Sequence, residues 1–384
     1  MGGATPPGGN RILTGILGPS LMSIPVQQQF AVFRYILSQK VRGRKRYPLV
    51  LMLEPLFRCN LHCAGCGKVN QSEEVLNRRL SPQECLSAAE ECGVPVVSIA
   101  GGEPLMHAAM PEIVRVLTER GKFVYLCTNG LLLKKRMEDY HPSPYLTFSV
   151  HLDGNRALHD SVAGREGLFD TAVEAIEAAS KRGFRVTVNC TLYDGISAAE
   201  ALRFFRLVDQ LGVEGLTVAP GFHHEAAQQR ELFLGRSASK GLFREIIRGF
   251  NGHRPRFNHT RLYLDFLAGN RTYQCTPWGN PCRSVLGWQK PCYLLCDGYV
   301  PTFKELMEET AWECYGVGRN PRCAQCMLHS GFEATAVEDL WNHPFSALKL
   351  LIGGHRTEGP MAPEVPVICS DRTVHQPDGG QPSE

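Results

Sequence analysis

The stretch Glu54-Pro-Leu-Phe-Arg-Cys59-Asn-Leu-His-Cys63-Ala-Gly-Cys66-Gly67-Lys68 decides how the rest of the chain is read. The apolar run Leu49–Leu53 leads into it and reads as a buried strand. Asn60, His62, Gly65 and Gly67 make the segment after that strand a loop, not a packed core. Three cysteines stand in that loop, with three and then two residues between them. Soft thiolates at such spacing can close on one metal centre. A purely structural cluster or zinc site takes four protein ligands. Three ligands suit a four-iron cluster in which one iron keeps an open position, and an open position implies chemistry.

The chain has 384 residues, enough for one large domain and a smaller one. A hydrophobic content of 43% supports a sizeable core. A net charge of +3 is too small to argue for nucleic acid, and none is expected as a partner. No N-terminal stretch is laid out like a signal peptide, because Arg11 interrupts it and the apolar runs are short. The fifteen cysteines are therefore expected to be metal ligands and reduced thiols in a cytosolic compartment. No segment reaches about 18 apolar residues, so no membrane span is expected.

Residues 1–25 are rich in Gly and Pro and are expected to be poorly ordered. Residues 26–46 read as a basic amphipathic helix, Val26 to Lys45, fit either for a membrane surface or for covering an open end of the domain. A strand–helix alternation then fills 47–255. Strands are expected at Leu49–Glu54, Val96–Ala100, Phe123–Cys127, Leu146–Leu152, Arg185–Cys190 and Gly215–Val218. Helices are expected from Ser81 onward and at Met110–Arg120, Leu132–Asp139, Thr171–Arg182, Ala198–Leu211 and Ser239–Phe250. Ser81-Pro82-Gln83-Glu84 supplies an N-cap, a proline at N1 and an acid at N3. Six such units imply an α/β fold, a parallel sheet covered by helices and curled into a barrel or partial barrel. From 256 to 345 the periodicity breaks and cysteines and aromatics concentrate. Residues 346–384 are expected to be mostly a disordered tail after Thr357, with an idle Cys369.

The CxxxCxxC spacing after a first strand resembles the signature of the radical S-adenosylmethionine (SAM) enzymes. That resemblance implies a partial (β/α)6 barrel with a C-terminal cysteine-rich extension. It also implies a [4Fe–4S] cluster on Cys59, Cys63 and Cys66, with SAM chelated at the open iron. Gly101-Gly102-Glu103-Pro104 closes the second strand and matches the family's GGEP motif, whose backbone grips the SAM amino group. The ends of the other strands offer Thr128, Asn129, Ser149, His151, Asp153 and Asn189, since barrel strands converge on the active site at their C-terminal ends. Ser149, His151 and Asn189 are expected contacts of the SAM ribose and carboxylate. Glu54 either points into the cavity or pairs with Arg58. Cys127 ends an apolar strand and is either a hydrogen-atom donor to a substrate radical or core filler.

Cys323-Ala-Gln-Cys326 is a ligand-type pair, with Cys275 and Cys292 as its expected completion in a closed zinc or second iron–sulfur site. Cys282, Cys296, Cys314 and His329 are spare candidates, and a cysteine-rich cap without metal is the rival reading.

Longer phrases resemble one subfamily. They are Lys45-Arg46-Tyr47-Pro48 through Glu54-Pro, Val97 through Glu103-Pro, Tyr145 through Ser149-Val-His151-Leu-Asp153-Gly, Phe266-Leu-Ala-Gly-Asn270, and Tyr273 through Asn280. They are similar to the hopanoid-biosynthesis radical SAM enzymes, the adenosyl-hopene transferases, over about residues 25 to 345. The resemblance implies transfer of the 5'-deoxyadenosyl group to the terminal alkene of diploptene, giving adenosylhopane. It also implies a triterpene lipid substrate, a reductant such as flavodoxin or ferredoxin, and a peripheral place on the cytoplasmic face of the membrane. The apolar pocket would be lined from Phe222, Phe257, Tyr263, Phe266, Trp278, Trp288 and Tyr293. The alternative is a radical SAM enzyme that abstracts hydrogen from, or modifies, another substrate such as a peptide.

Overall fold

In the computed structural model, residues 24–222, 227, 229–250, 252 and 254–366 are described. Residues 1–23, most of the expected tail and Cys369 lie outside them. The helices are α1 Val26–Val41, α2 Glu73–Asn77, α3 Pro82–Cys92, α4 Met110–Glu119, α5 Leu133–Arg136, α6 Arg156–Ala163 and α7 Leu168–Lys181. They continue with α8 Ala198–Gln210, α9 Arg236–Arg248, α10 Arg261–Leu267, α11 Phe303–Glu309, α12 His329–Asn342 and α13 Pro344–Gly353. The strands are β1 Val50–Glu54, β2 Val96–Ile99, β3 Phe123–Thr128, β4 Leu146–His151, β5 Arg185–Leu192 and β6 Gly215–Pro220, then β7 Cys282–Ser284, β8 Gly287–Pro291 and β9 Cys296–Val300.

Local chemistry explains the boundaries. Ser81 and Glu84 cap each other's backbone at the start of α3, and Ser197 and Glu200 do the same for α8. Gly93, left-handed at φ 73°, ends α3 and turns the chain into β2. Strands β1 to β6 are parallel neighbours, in the order β6-β5-β4-β3-β2-β1. This is the radical SAM type of partial barrel sheet. One face carries Leu51, Leu53, Val97, Ile99, Leu126, Phe148, Val150 and Val188, all buried. The other carries Met52, Ser98, Tyr125, Cys127, Ser149, His151, Asn189 and Thr217. The register Met52↔Ser98, Ser98↔Tyr125, Cys127↔Ser149, His151↔Asn189 and Asn189↔Thr217 sets these side chains in rows.

Four features differ from the sequence reading. Helix α6 has a clear cap, with Asn155 accepting from the Leu158 N–H and Gly164 left-handed at its end, but it is only eight residues long. The cysteine-rich segment does not stand apart from the sheet. Strand β7 pairs parallel with β1 through Met52↔Cys282, and β8 and β9 continue antiparallel, giving nine strands among the described residues. One hydrophobic core runs from Leu51 to Trp288, Phe332 and Val365. The chain beyond Thr357 is a strap, not a free tail, as far as residue 366. Ala362 donates to the Gly269 carbonyl at 2.8 Å, Glu364 pairs with Arg236 at 2.9 Å and with Lys240, and Val365 is buried. Finally, α1 stops at Val41, and Gly43 at φ 67° turns the chain away.

Candidate active site at the C-terminal strand ends

The loop after β1 is pinned to the end of β2 by backbone contact. Gly102 N–H donates to the Leu56 carbonyl at 3.0 Å and Glu103 N–H to the Arg58 carbonyl at 3.0 Å. A Cβ on Gly101 would stand 2.3 Å from the Leu56 oxygen, and one on Gly102 would stand 2.1 Å from the Arg58 oxygen. Glycine is therefore required at both positions by close approach, and at Gly101 also by φ 107°. Glu103 is buried and already engaged. One carboxylate oxygen accepts from Thr128 Oγ1 at 2.8 Å and from Leu105 N–H at 3.0 Å, and the other accepts from Asn129 N–H at 2.9 Å. Burial pushes its carboxyl up to about 7. Asn129 Nδ2 donates in turn to Asn60 Oδ1 at 2.8 Å, beside Cys59. A polar chain thus runs from the end of β2 through the end of β3 to the cysteine loop. Pro104 starts a short turn beyond Glu103.

Cys59, Cys63 and Cys66 are half-buried. Burial raises all three thiols, Cys59 to about 11 and Cys63 to about 12, and thiolate charge on its loop neighbours raises Cys59 and Cys63 further. The set is thus a nest of soft donors whose ionised form needs a cationic centre. Among the described residues, no group of three His, Cys, Asp or Glu side chains is set to hold a single metal ion. The three-thiol chemistry fits an iron–sulfur cluster, which the radical SAM fold implies together with SAM.

Glu54 does not pair with Arg58. Its buried carboxylate takes Lys68 Nζ at 2.8 Å, while Arg58 turns outward to Glu73 and Asn77. Burial opposes the Lys68 ammonium, yet the Glu54 charge outweighs it and the lysine pKa rises. Sequence reasoning missed Lys68, although it lies two residues after Cys66. His151 Nε2 lies 2.7 Å from Asp153 Oδ2. Burial alone would discharge that imidazole, but Asp153 more than compensates and its pKa rises. Asp153 Oδ1 also accepts from Thr191 N–H at 2.6 Å. His159, whose Nδ1 meets the Asp153 N–H, is pushed down to about 4 by burial and by His151. Cys127 Sγ sits 3.5 Å from Ser98 Oγ, with Ser149 as a second hydrogen-bond partner, and burial raises its pKa. Ser149, His151 and Asn189 share its sheet face, as the alternation of the strands predicts.

The second cysteine group comes together around one cavity, though it is not set to hold a single metal ion. Cys275, Cys292, Cys323 and Cys326 line one cavity with Phe222, Leu294 and Tyr315. Burial raises all four thiols, and Cys275 is raised further by Cys326, Cys292 and Cys323. Gly331 makes room for them, because a Cβ there would stand 2.4 Å from Cys275 Sγ. Of the spare candidates, Cys282 is buried beside Glu54, Cys296 is exposed beside Tyr299, and Cys314 lies outside the cavity lining. His329 is pushed down to about 3 by burial and by His259. The aromatic residues do not converge on one pocket. Phe257, Tyr263, Phe266 and Trp288 pack in the main core, and Trp278 packs edge-on against Trp312. Phe222 and Tyr293 pack beside Cys326.

Residues 53–208 match the radical SAM superfamily, and residues 216–350 match a domain of unknown function, DUF3463. The Fe-coproporphyrin III synthase of Methanosarcina barkeri (strain Fusaro / DSM 804) is 31% identical over 139 residues, 35% of each chain. The mycofactocin maturase MftC of Mycolicibacterium smegmatis is 32% identical over 204 residues, 48% of this chain and 51% of that one. This chain therefore spans only about a third to a half of these curated relatives. Streptococcus suis SuiB bound to S-adenosylmethionine superposes with a TM-score of 0.54 at 17% identity, over 66% of this chain and 62% of that one, a likeness of fold alone. No helix among the described residues is long and apolar enough to cross a membrane. The cysteine loop and the glycine-tight strand end both lie within residues 53–208, the stretch that matches the radical SAM superfamily.

Proposed function

We propose that this chain makes a 5'-deoxyadenosyl radical from SAM, directs it at a substrate on the polar strand face, and ends the reaction with a hydrogen atom from Cys127. The observation that carries the last step is the Cys127 thiol, set between Ser98 and Ser149 and kept protonated by burial. Cys59, Cys63 and Cys66 would hold the [4Fe–4S] cluster, which when bound supplies the electron that splits SAM into methionine and the radical. The chain's own residues bind and orient. The strand end Gly101–Gly102 fixes the loop, and Ser149, His151 and Asn189 offer polar groups to the SAM ribose and carboxylate. Glu54 keeps Lys68 beside Cys66. The four-thiol cavity would hold zinc or a second iron–sulfur cluster as a closed structural site.

Two substrate classes suit this machinery. The subfamily phrases support addition to hopene. The radical would bond to the terminal CH2 of the alkene, and the resulting tertiary carbon radical would take hydrogen from Cys127. One electron from a carrier such as flavodoxin or ferredoxin, and one proton from solvent, would then restore the thiol. The relatives support the second class better, modification of another substrate such as a peptide or a cofactor precursor. They are named for a coproporphyrin synthase and a mycofactocin maturase. The row Ser98, Cys127, Ser149, His151 and Asn189 also suits a polar substrate better than a pentacyclic triterpene.

Anaerobic reconstitution with iron and sulfide, then incubation with SAM, dithionite and hopene, separates the two. A covalent adenosyl adduct in the mass spectrum supports addition. Free 5'-deoxyadenosine as the sole nucleoside product supports the second class, and absence of SAM cleavage overturns both. Normal product formation by Cys127→Ala would remove the donor role.

A further inference from the structure

Helix α1 carries an apolar stripe on its outer face. Its apolar residues Val26, Phe30, Phe33, Leu37 and Val41 recur at steps of four and three, one stripe along the helix, and every one faces solvent. Phe30 is 59% and Val41 79% exposed, whereas Gln28 and Gln39 are buried at 5% and 4%. The inward face buries Ile36 and is also held by polar contacts at the N-terminal ends of the strands. Tyr125 Oη donates to Gln28 Oε1 at 3.0 Å, and Gln27 Nε2 donates to Tyr145 Oη at 2.9 Å.

A second stripe lies on α13. Helix α13 exposes Phe345, Leu348 and Ile352, again at helical steps. Helix α12, which packs against α13, also touches α1, the Trp341 ring lying 5.2 Å from that of Phe33. Apart from Met361, every large exposed apolar side chain among the described residues lies on α1, on α13 or at Leu340 between them. Exposed apolar side chains concentrated on two helices in this way mark an interaction site.

Charge selects the occupant. From Val26 to Leu53 the sequence has no acid and six cations, Arg34, Lys40, Arg42, Arg44, Lys45 and Arg46. Lys349 adds another on α13, which has no acid either. The acids on the adjoining α12 are already engaged, Glu338 by Lys40 and Tyr47, and Asp339 by Arg271 and Tyr273. A second copy of this chain would set the same cations against one another. A bilayer with anionic headgroups accepts both the apolar stripes and the cations.

We propose that the paired outward faces of α1 and α13 form a docking surface for an anionic membrane. The inference stands on these helices and does not depend on the substrate. Docking there leaves the cysteine loop, at the opposite ends of the strands, facing away from the bilayer and open to a redox carrier.

The test is cosedimentation of the full chain with vesicles of phosphatidylcholine alone, or with about a quarter phosphatidylglycerol. The chain should pellet with the mixed vesicles, weakly with neutral ones, and less as salt rises. Two variants, Phe30→Asp/Phe345→Asp/Ile352→Asp and Arg42→Glu/Arg44→Glu/Lys45→Glu, should each lower the bound fraction by about ten-fold or more. Their unchanged melting temperatures would show that folding is intact. A chain that stays in the supernatant with anionic vesicles overturns the proposal, as does pelleting that neither variant weakens. A dimer in sedimentation velocity that the apolar-stripe variant dissolves, without vesicle binding, would assign the surface to a second copy instead.

Discussion

Gly102→Ala should unseat the first cysteine of the loop. The added methyl would stand 2.1 Å from the Arg58 oxygen, 2.5 Å from the Arg58 carbonyl carbon and 2.5 Å from the Phe57 oxygen. All three neighbours are backbone, so no side chain can swing aside. Relief requires segment 56–58 to move by about 1 Å, to reach the roughly 3.3 Å of an ordinary C···O contact. That movement loosens two backbone hydrogen bonds, Gly102 N–H to Leu56 and Glu103 N–H to Arg58. Overpacking costs about 1–3 kcal/mol and each weakened bond about 1 kcal/mol, so a loss of about 2–5 kcal/mol is expected. Cys59 follows Arg58 directly, so the same displacement carries the first thiol out of place. Anaerobic reconstitution followed by iron analysis and thermal unfolding measures both effects together. Iron per chain should fall well below that of the unaltered protein, with a lower melting temperature. A variant with full iron content and unchanged melting would show that the strand end does not position the loop.

Glu103→Gln reads the buried carboxyl. Its folded pKa, raised from 4.5 to about 7 by burial, means that its stabilising contribution is complete below about pH 4.5 and is lost as pH rises through about 7. The loss amounts to about 3 kcal/mol. Urea unfolding across that window should show a downward slope in the unaltered protein that shrinks in the variant, and parallel slopes would refute the assignment. Lys68→Met leaves the Glu54 carboxylate buried without its ammonium and should cost about 3–5 kcal/mol in the same assay. Adding Glu54→Gln should recover part of that cost, and a strictly additive double variant would count against the pair. Gly331→Ala would press on Cys275 and should destabilise by about 1–3 kcal/mol while lowering any metal retained by the second cysteine group. Unchanged metal content would separate Gly331 from that site.

The features legible in the sequence were those written in local patterns. The capping boxes Ser81–Glu84 and Ser197–Glu200 mark helix starts because both partners lie within four residues. The six parallel strands show because the face they turn to the helices sets an apolar residue at every second position. The cysteine loop shows through spacing alone, and Cys323-x-x-Cys326 likewise. What was hidden depends on distant partners. Strand β7 has three residues and β8 contains Gly287 and Pro291, so neither carries a period, and their place is set by β1 more than 200 residues earlier. The strap to residue 366 looks like a linker because its hold comes from Arg236 and Lys240 on α9. Gly101 and Gly102 read as a ligand grip, yet the contact that demands them is the backbone of Leu56 to Arg58. Arg58 was the nearest cation to Glu54 along the chain, but the fold of the loop brings Lys68 back instead.

The pairing of β7 with β1 has a chemical consequence that neither half of the chain implies alone. It sets Cys282 on the same sheet face as Met52, next to the buried Glu54. Besides burial, the Glu54 charge raises the Cys66 thiol on one side. On the other it raises Cys282 and Tyr293, and Tyr293 in turn neighbours Cys292 and Cys326. One carboxylate therefore acts on the loop that would hold the cluster, and meets the cavity of four thiols only by way of Cys282 and Tyr293. Lys68 neutralises it from the loop side only, through a single contact at 2.8 Å. A sheet that ended at β1 would expose this carboxylate at an edge and let water screen it. With β7 to β9 in place it stays in low dielectric, where its charge acts on Cys66, Cys282 and Tyr293 with little attenuation.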